Sequence, residues 1–531
     1  GGRSSGDVTI NGKAGSASLF REVSEFVIQD DVVPDLLTAK ETFTYAAKLR
    51  LPQWTAESRD AAVDELLQDL GLWERRDTII GIPGLLRGLS GGERKRVNIG
   101  TSMISEASLL MLDEPTSGLD SNTAHKIMRQ VKGLAEKRGM TVLSTIHQPS
   151  VDIINEFDQV IVLARGKIVF AGRPDEITDH FKDLGFPCRK FDNPTDHALK
   201  LLSSEGPEDR EANRRIDEIV AARDRKPPTM TSRNKPVQHE RRSKRSQFFA
   251  QFGTLISRNV RVQVRNPMLT RARAAQTIIF ALLIGFLFFQ LGSGQTSVQG
   301  RLGAIFIIAV NTLISALIGV LFTFPAERAL FIRERSDGIY STLAYYLAKV
   351  SADLPYQILF PTIFAAISYW MVGFQSDFGK FVVFSVVIVL LALIGSGFGF
   401  LISGITGDVQ LSLSIAPGVI MPCLLFSGFL ANLDSMTPVL SWIGYINPVK
   451  WAFAALSLNE FRGLTIDCSA ELAAEDRCVW TTGEQVIAQY DLERDTSEVA
   501  VNIAFIIAIA VFLRIAGYVG LLASSSKRIP K

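Results

Sequence analysis

The run LSGGERKR (89–96), followed by LLMLDEP (109–115) and SGLD (117–120), decides how this chain is read. Ser90, Gly91 and Gly92 stand just before a helical stretch beginning near Glu93. Small residues there let backbone N–H groups and a hydroxyl approach a phosphate, and the helix N-terminus adds positive partial charge. Seventeen residues after Gly92 begins an apolar, strand-like run, Leu109 to Leu112, which ends in Asp113 and Glu114. Two carboxylates closing a buried strand are costly unless a cation or a proton uses them. Asp113 suits Mg²⁺, and Glu114 suits orientation or deprotonation of an attacking water. A second β-rich run, Thr141 to Ile146, ends at His147, where an imidazole is placed to meet a terminal phosphate.

No G-x-x-x-x-G-K-[S/T] phosphate loop occurs in the sequence. Gly6 to Lys13 has one residue too many between its glycines, and Ala14 follows the lysine. Gly373 to Lys380 has the same spacing, and Phe381 follows. Outward from the signature run, Phe20 to Ile28 is expected as a strand, followed by Gln29-Asp30-Asp31. Residues 38–51 are expected as a helix capped by Thr38, with Glu41 at capping-box spacing, and 56–72 as a second helix.

The ordered set resembles the G subfamily of ABC transporters, the white/pigment and multidrug half-transporter type. VIQDD (27–31) resembles that family's Q-loop, LSGGERKR its signature, LLMLDEP its Walker B strand, SGLD its D-loop and STIHQPS (144–150) its H-loop. NPTDH (193–197) resembles the element closing the nucleotide domain, with Thr195 and His197 as departures. The resemblance implies ATP and Mg²⁺. Gln29 and Asp113 would meet the metal, and Ser90, Gly91, Gly92 and Glu93 would meet a nucleotide held by the opposite subunit. Asp120 would couple the two sites, and Glu114 and His147 would act in hydrolysis. GRSSGDVTING (2–12) resembles the segment that lies shortly after the family's phosphate loop, and Gly1 is not an initiator Met. The chain is therefore expected to begin mid-protein, with the phosphate loop cut off rather than mutated away. A genuinely cradle-less subunit is the other possibility.

With 531 residues, more than one domain is expected. The mean hydropathy of +0.20 averages two unlike halves. The fold class expected is an incomplete α/β, P-loop-NTPase-like nucleotide domain over 1–202, a charged linker over 203–247, and an all-α six-helix membrane domain over 248–531. The linker holds Pro227-Pro228 and the basic run Arg241 to Arg245, and 208–224 has helical character. Phe248, Phe249, Phe252, Leu255, Ile256 and Val260 share one helical face, with Arg258, Arg261 and Arg265 alongside. That pattern fits either a helix lying on a membrane surface or a core helix.

Six apolar segments are long enough to span a bilayer core of roughly 30 Å: 273–291, 302–324, 352–372, 380–404, 411–431 and 499–522. They exclude a cytosolic ABC protein acting on nucleic acid. Lys/Arg bias puts the ends before span one, between spans two and three, and at the tail in the cytosol. By resemblance, Glu327, Arg328 and Glu334 belong to a coupling elbow. Asn311 in span two contacts a small hydrophobic substrate or a neighbouring helix, and Phe429-Leu430 form an apolar plug at the outer end of span five. WIGYINPVKWAFAALSLNEF (442–461) reads as a re-entrant hairpin or short external helices. Cys468 and Cys478 are expected to form an intrachain disulfide on the oxidising side, with an intersubunit bridge as the rival. Cys188 and Cys423 are plain packing residues. A dimer, homo- or hetero-, in contact with membrane lipid is implied, because each composite site needs one chain's signature and the other's phosphate loop. The expected activity is ATP-driven translocation of a lipid, sterol, pigment or xenobiotic. The alternative is an inert partner that lends its signature.

Overall fold

The computed structural model describes the chain except for residues 1–8, 11–12, 17–18, 21–22, 83, 106, 165, 190–192, 204–208, 225–246, 431–437, 469–477, 494, 497 and 527–531. Most of the Gly2 to Gly12 resemblance, Pro227-Pro228 and the basic run at 241–245 lie outside the described residues. The chain divides into two units, the first comprising Gly1–Ser246 with Asp337–Ile339, the second Gln247–Ser336 with Tyr340–Lys531.

In the first unit, β1 (Ser24–Val27), β2 (Leu109–Asp113) and β3 (Thr141–Thr145) form a parallel sheet in the order β1-β2-β3. β1 is shorter than the run 20–28 expected. Before it the backbone turns helically: Phe20 N–H donates to Ser16 O (2.9 Å), and the Ser24 hydroxyl donates to Phe20 O (2.6 Å). An antiparallel hairpin, β4 (Val160–Ala164) with β5 (Lys167–Gly172), lies further along the chain.

Helix α1 (Ala39–Arg50) starts at the predicted capping box. Thr38 Oγ1 accepts from Glu41 N–H, and the Glu41 carboxylate accepts from Thr38 N–H at 3.0 Å. After α2 (Ala56–Asp69), α3 (Gly91–Met103) opens on a second capping box made by Ser90 and Glu93. Then α4 (Ser121–Arg138) is capped by Asp120 and ends at Gly139, whose φ is 62°. Alternation along β2 buries Leu110 and Leu112, and i, i+4 spacing on α4 buries Ile127, Val131 and Leu134. Together with Val97 and Ile99 of α3 these make one core. The burial is what fixes the strand ends relative to the helix that carries the signature.

In the second unit, α5 (Phe248–Val264) precedes α6 (Pro267–Leu287), α7 (Ser297–Ser336), α8 (Thr342–Val372), α9 (Phe378–Thr406), α10 (Val409–Leu425), α11 (Pro438–Ile446), α12 (Pro448–Phe461) and α13 (Val499–Ser526). Among the described residues five helices are long and apolar enough to cross a membrane: α6, α7, α8, α9 and α13. The fifth predicted segment, 411–431, forms a shorter apolar helix than expected: α10 has 17 residues and stops at Leu425, about 25 Å at 1.5 Å per residue. Pro417 and Pro422 remove two helix donors, and Gly428 takes a φ of 85°, which no α-helix continues. The segment 442–461 forms the two short helices α11 and α12, joined at Asn447.

The charged stretch expected as the elbow between spans two and three lies on a helix. α7 runs unbroken for 40 residues through Glu327, Arg328 and Glu334, with Pro325 inside it, and the chain turns only at Asp337-Gly338. α7 packs on α9, where Gly395 and Gly399 share a helix face with small-residue spacing. A methyl at 395 would fall on the Leu313 carbonyl oxygen, and one at 399 would lie 2.7 Å from Val320 Cβ. Gly395→Ala is therefore expected to destabilise the membrane domain by about 1–3 kcal/mol. Thermal unfolding of the detergent-solubilised protein checks this, and an unchanged midpoint would refute the close approach.

Candidate nucleotide and transport sites

Parallel register assembles the first site. Leu112 of β2 pairs with Val27 of β1, and Asp113 pairs with Thr145 of β3. Gln29, two residues beyond β1, thus arrives beside the end of β2. Its Nε2 donates to Glu114 Oε2 at 2.9 Å and to Ser117 Oγ at 3.5 Å. Thr145 Oγ1 donates to Asp113 Oδ1 at 2.8 Å and accepts from Glu114 N–H at 3.0 Å. Three strand ends are tied into one polar cluster at the carboxyl edge of the sheet, where ligands of parallel sheets bind. Glu114 has a φ of 44°, and Gln148, next to the exposed His147, has a φ of 48°. Such backbone costs on the order of 1–3 kcal/mol each and persists where the surroundings over-determine it.

The signature forms a second cluster. Ser90 Oγ and N–H both meet Glu93 Oε2, at 3.0 and 2.9 Å, and Glu93 N–H donates to Ser90 Oγ. A Cβ on Gly92 would lie 2.5 Å from the Thr123 methyl, and Gly91 packs on Leu119, so the glycines fit tightly against the start of α4. Asp120 Oδ1 accepts from Thr123 N–H at 3.0 Å, and that donor holds the exposed carboxylate below its usual range. No hydrogen bond joins His147 to either cluster among the described residues.

The sequence reading missed how the signature helix reaches Gln29. Lys95 Nζ, buried, donates to Gln29 O at 2.7 Å and pairs with Asp31 at 2.9 Å. Arg94 bonds Asp35 (2.6 Å), Asp31 O and Gly81 O, and Asn98 bonds Asp31. Arg94 and Lys95 lie inside the quoted motif, but nothing local signals partners some sixty positions upstream. Thr145 was missed in the same way. Asn193 caps the helix Pro194–Leu202 and donates to Pro149 O at 3.0 Å.

One carboxylate and one amide oxygen are donors that suit a hard cation retaining water and phosphate ligands. Among the described residues no group of three or more His, Cys, Asp or Glu forms a closed metal cage. The donor set of Gln29 and Asp113 fits Mg²⁺ carried by a nucleotide.

In the membrane unit Asn311 lines a cavity of about 100 Å³ between α6, α7 and α8, next to Thr312 and Ser315. Phe429 and Leu430 follow α10 in a bend and diverge. Phe429 stacks on Phe306 (4.8 Å) and lies 5.5 Å from Phe453, whereas Leu430 is exposed. Glu327 pairs with Lys349 at 2.8 Å, Arg328 bonds Ser524 at 2.9 Å, and Glu334 takes both Arg258 (2.6 Å) and Tyr340 (2.7 Å). All three candidate coupling residues thus have partners inside their own unit. Cys468 and Cys478 are joined in one intrachain disulfide, and Cys423 is buried.

Residues 2–117 match the ABC transporter family model, and residues 250–461 match the ABC-2 type transporter model. "Protein white" of Drosophila melanogaster is 34% identical over 468 residues, covering 86% of this chain and 68% of that protein. "ABC transporter G family member 7" of Arabidopsis thaliana is 32% identical, covering 87% and 66% respectively. "Broad substrate specificity ATP-binding cassette transporter ABCG2" of Mus musculus is 30% identical over 557 residues, covering 96% and 83%. An ABC ATPase domain joined to a helical membrane domain, with these relatives along most of its length, makes this chain an integral membrane protein and a member of the G family of ABC transporters, of the half-transporter type.

Proposed function

We propose that the chain works as one half of a dimeric transporter that uses ATP hydrolysis to move a hydrophobic or amphipathic molecule across a membrane. The observation that carries this is the hydrogen-bonded set Gln29, Asp113, Glu114 and Thr145 at the carboxyl edge of a parallel sheet. Glu114 would orient or deprotonate the attacking water. Gln29 would report the terminal phosphate, and Asp113, oriented by Thr145, would hold nucleotide-borne Mg²⁺, which supplies charge neutralisation when bound. Ser90, Gly91 and Gly92 would close on the nucleotide of the other subunit. That step requires the Glu93 carboxylate to yield the Ser90 hydroxyl and N–H it now occupies. Asp120 would link the paired sites, and His147, exposed at the end of β3, would act as the switch. Domain limits of 1–202, 203–247 and 248–531, with the nucleotide domain in the cytosol, complete this reading. Asn311 would contribute to the cargo path, and Phe429 with Leu430 to its outer closure.

A second reading rests on the missing G-x-x-x-x-G-K-[S/T]. In it, the chain lends its signature to a competent companion and does no chemistry at its own strand ends. Both readings expect the 531-residue polypeptide by itself to show no ATP hydrolysis, because no lysine and hydroxyl cradle the β- and γ-phosphates. Phosphate release from purified protein in lipid discs tests this, and hydrolysis abolished by Glu114→Gln in that sample would refute it. Co-expression of this chain, carrying a relative's phosphate-loop segment fused ahead of Gly1, with a phosphate-loop-bearing relative separates the two readings. If Ser90→Arg in this chain lowers ATPase activity and Glu114→Gln does not, the partner role holds. If both do, the catalytic role holds.

A further inference from the structure

The cavity between α6, α7 and α8 contains a cation with no counter-charge. Arg273 lines it together with Gln276, Asn311, Ser315 and Gln357, and no carboxylate does. No acidic group among the described residues forms an ion pair with Arg273, whereas Arg258, Arg301, Lys349 and Lys450 of the same unit all pair with carboxylates. Arg273 lies about 9 Å along α6 from Pro267 at 1.5 Å per residue, within a helix apolar enough to cross a bilayer. Arg273 is half-buried near the start of that helix, and an ionisable group in such a helix calls for a named partner. Gly319 of α7 lies beside the guanidinium. A Cβ built on it would be 3.9 Å from Arg273 Nη2, in van der Waals contact, so a larger side chain there would press on the guanidinium. Phe280 and Phe364 close the apolar side.

A volume of about 100 Å³ is well short of the roughly 300–1,000 Å³ of a drug-sized site. It suits a small anionic group whose tail leaves the cavity. Basic residues crowd the approach to α6, at Arg258, Arg261, Arg265, Arg271 and Arg273, which by charge bias is the cytosolic end, where anionic lipid is found. We infer that this intraprotomer cavity binds an anionic phospholipid, in which Arg273 holds the lipid phosphate, the amide N–H groups of Gln276 and Gln357 donate to it, and the acyl chains run along α6 and α8 in the bilayer. The inference rests on the proposed orientation of the membrane domain, but its readout is binding, so absence of transport or ATPase activity leaves it standing.

The test is native mass spectrometry of the full chain released from discs of phosphatidylcholine with 20% phosphatidylserine (about one lipid in five). Wild type should retain one phosphatidylserine per chain in preference to phosphatidylcholine. Arg273→Gln should lower that retention at least about tenfold, the loss of one charge-assisted pairing. Gly319→Leu, which fills the space beside the guanidinium while keeping the charge, should lower it similarly. Arg273→Lys should retain most of it. Inorganic phosphate at millimolar concentration should not displace the lipid if the tail contributes. Displacement would reassign the site to free phosphate and overturn the lipid proposal. Equal retention of the two lipids by wild type, or retention unaltered in both Arg273→Gln and Gly319→Leu, would also overturn it. Circular dichroism of each variant identifies any that has not folded, and the remaining variant then decides.

Discussion

With a relative's phosphate-loop segment fused ahead of Gly1, Glu114→Gln should cut ATP turnover by about 10²–10⁴-fold, the range set by a positioned general base, while ATP binding persists. The substitution keeps the shape and the hydrogen bond from Gln29, because an amide oxygen can still accept from Nε2. What it removes is the basic oxygen beside which the attacking water would stand. The effect should therefore fall on turnover and not on nucleotide affinity, the signature of an interaction made in the transition state. Thr145→Val gives a graded comparison. It deletes the donor to Asp113 Oδ1 and the hydroxyl acceptor of Glu114 N–H, which keeps its bond to Thr145 O at 3.1 Å, and is expected to raise the Mg²⁺ concentration needed for half-maximal activity severalfold. Phosphate release and fluorescent-nucleotide binding on the same preparation separate the two quantities. A Glu114→Gln protein that keeps more than about a tenth of wild-type turnover would remove Glu114 from the chemistry.

Breaking the buried pair Arg301–Glu460 should cost about 3–5 kcal/mol, because one partner is left as an uncompensated buried charge. Both side chains are almost fully buried. Arg301 also donates to Leu291 O at 2.8 Å and Gly292 O at 3.2 Å, while the Glu460 carboxylate accepts from Gln375 N–H at 3.2 Å. The pair thereby joins the start of α7, the loop after α8 and the end of α12. Arg301→Met alone, or Glu460→Met alone, should sharply lower the unfolding midpoint in detergent and reduce the yield of folded protein. The double substitution should recover most of the loss, since two apolar side chains need no mutual compensation. The double-mutant cycle measures this directly. If each single variant costs less than about 1 kcal/mol, the pair is solvated and the buried reading fails.

What could be read along the chain was whatever depends on near neighbours. Thr38 with Glu41 and Ser90 with Glu93 announce helix starts, because capping boxes are closed within one turn. Leu109 to Asp113 announces a strand by composition alone, and the apolar runs that become α6, α7, α8, α9 and α13 announce spans by length. Length misjudged one end. Residues 411–431 are mostly apolar, yet α10 stops at Leu425, ahead of the positive φ of Gly428. The charges of Glu327, Arg328 and Glu334 mark a coupling elbow only by resemblance, and which partner each finds on another stretch of chain could not be read from them.

By itself the sequence determined the order of the nucleotide motifs, the division into a charged half and an apolar half, and the helix starts marked by capping boxes, since these are set by periodicity and by contacts a few residues long. Only the tertiary structure decided which atoms those motifs touch. Lys95 reaches the Gln29 carbonyl, Thr145 orients Asp113, Glu460 meets Arg301, and Arg273 is left facing a cavity without a carboxylate. Such pairings depend on sheet register and helix packing, which bring together residues far apart in the chain, and no local pattern records which of many equally charged side chains will end up adjacent.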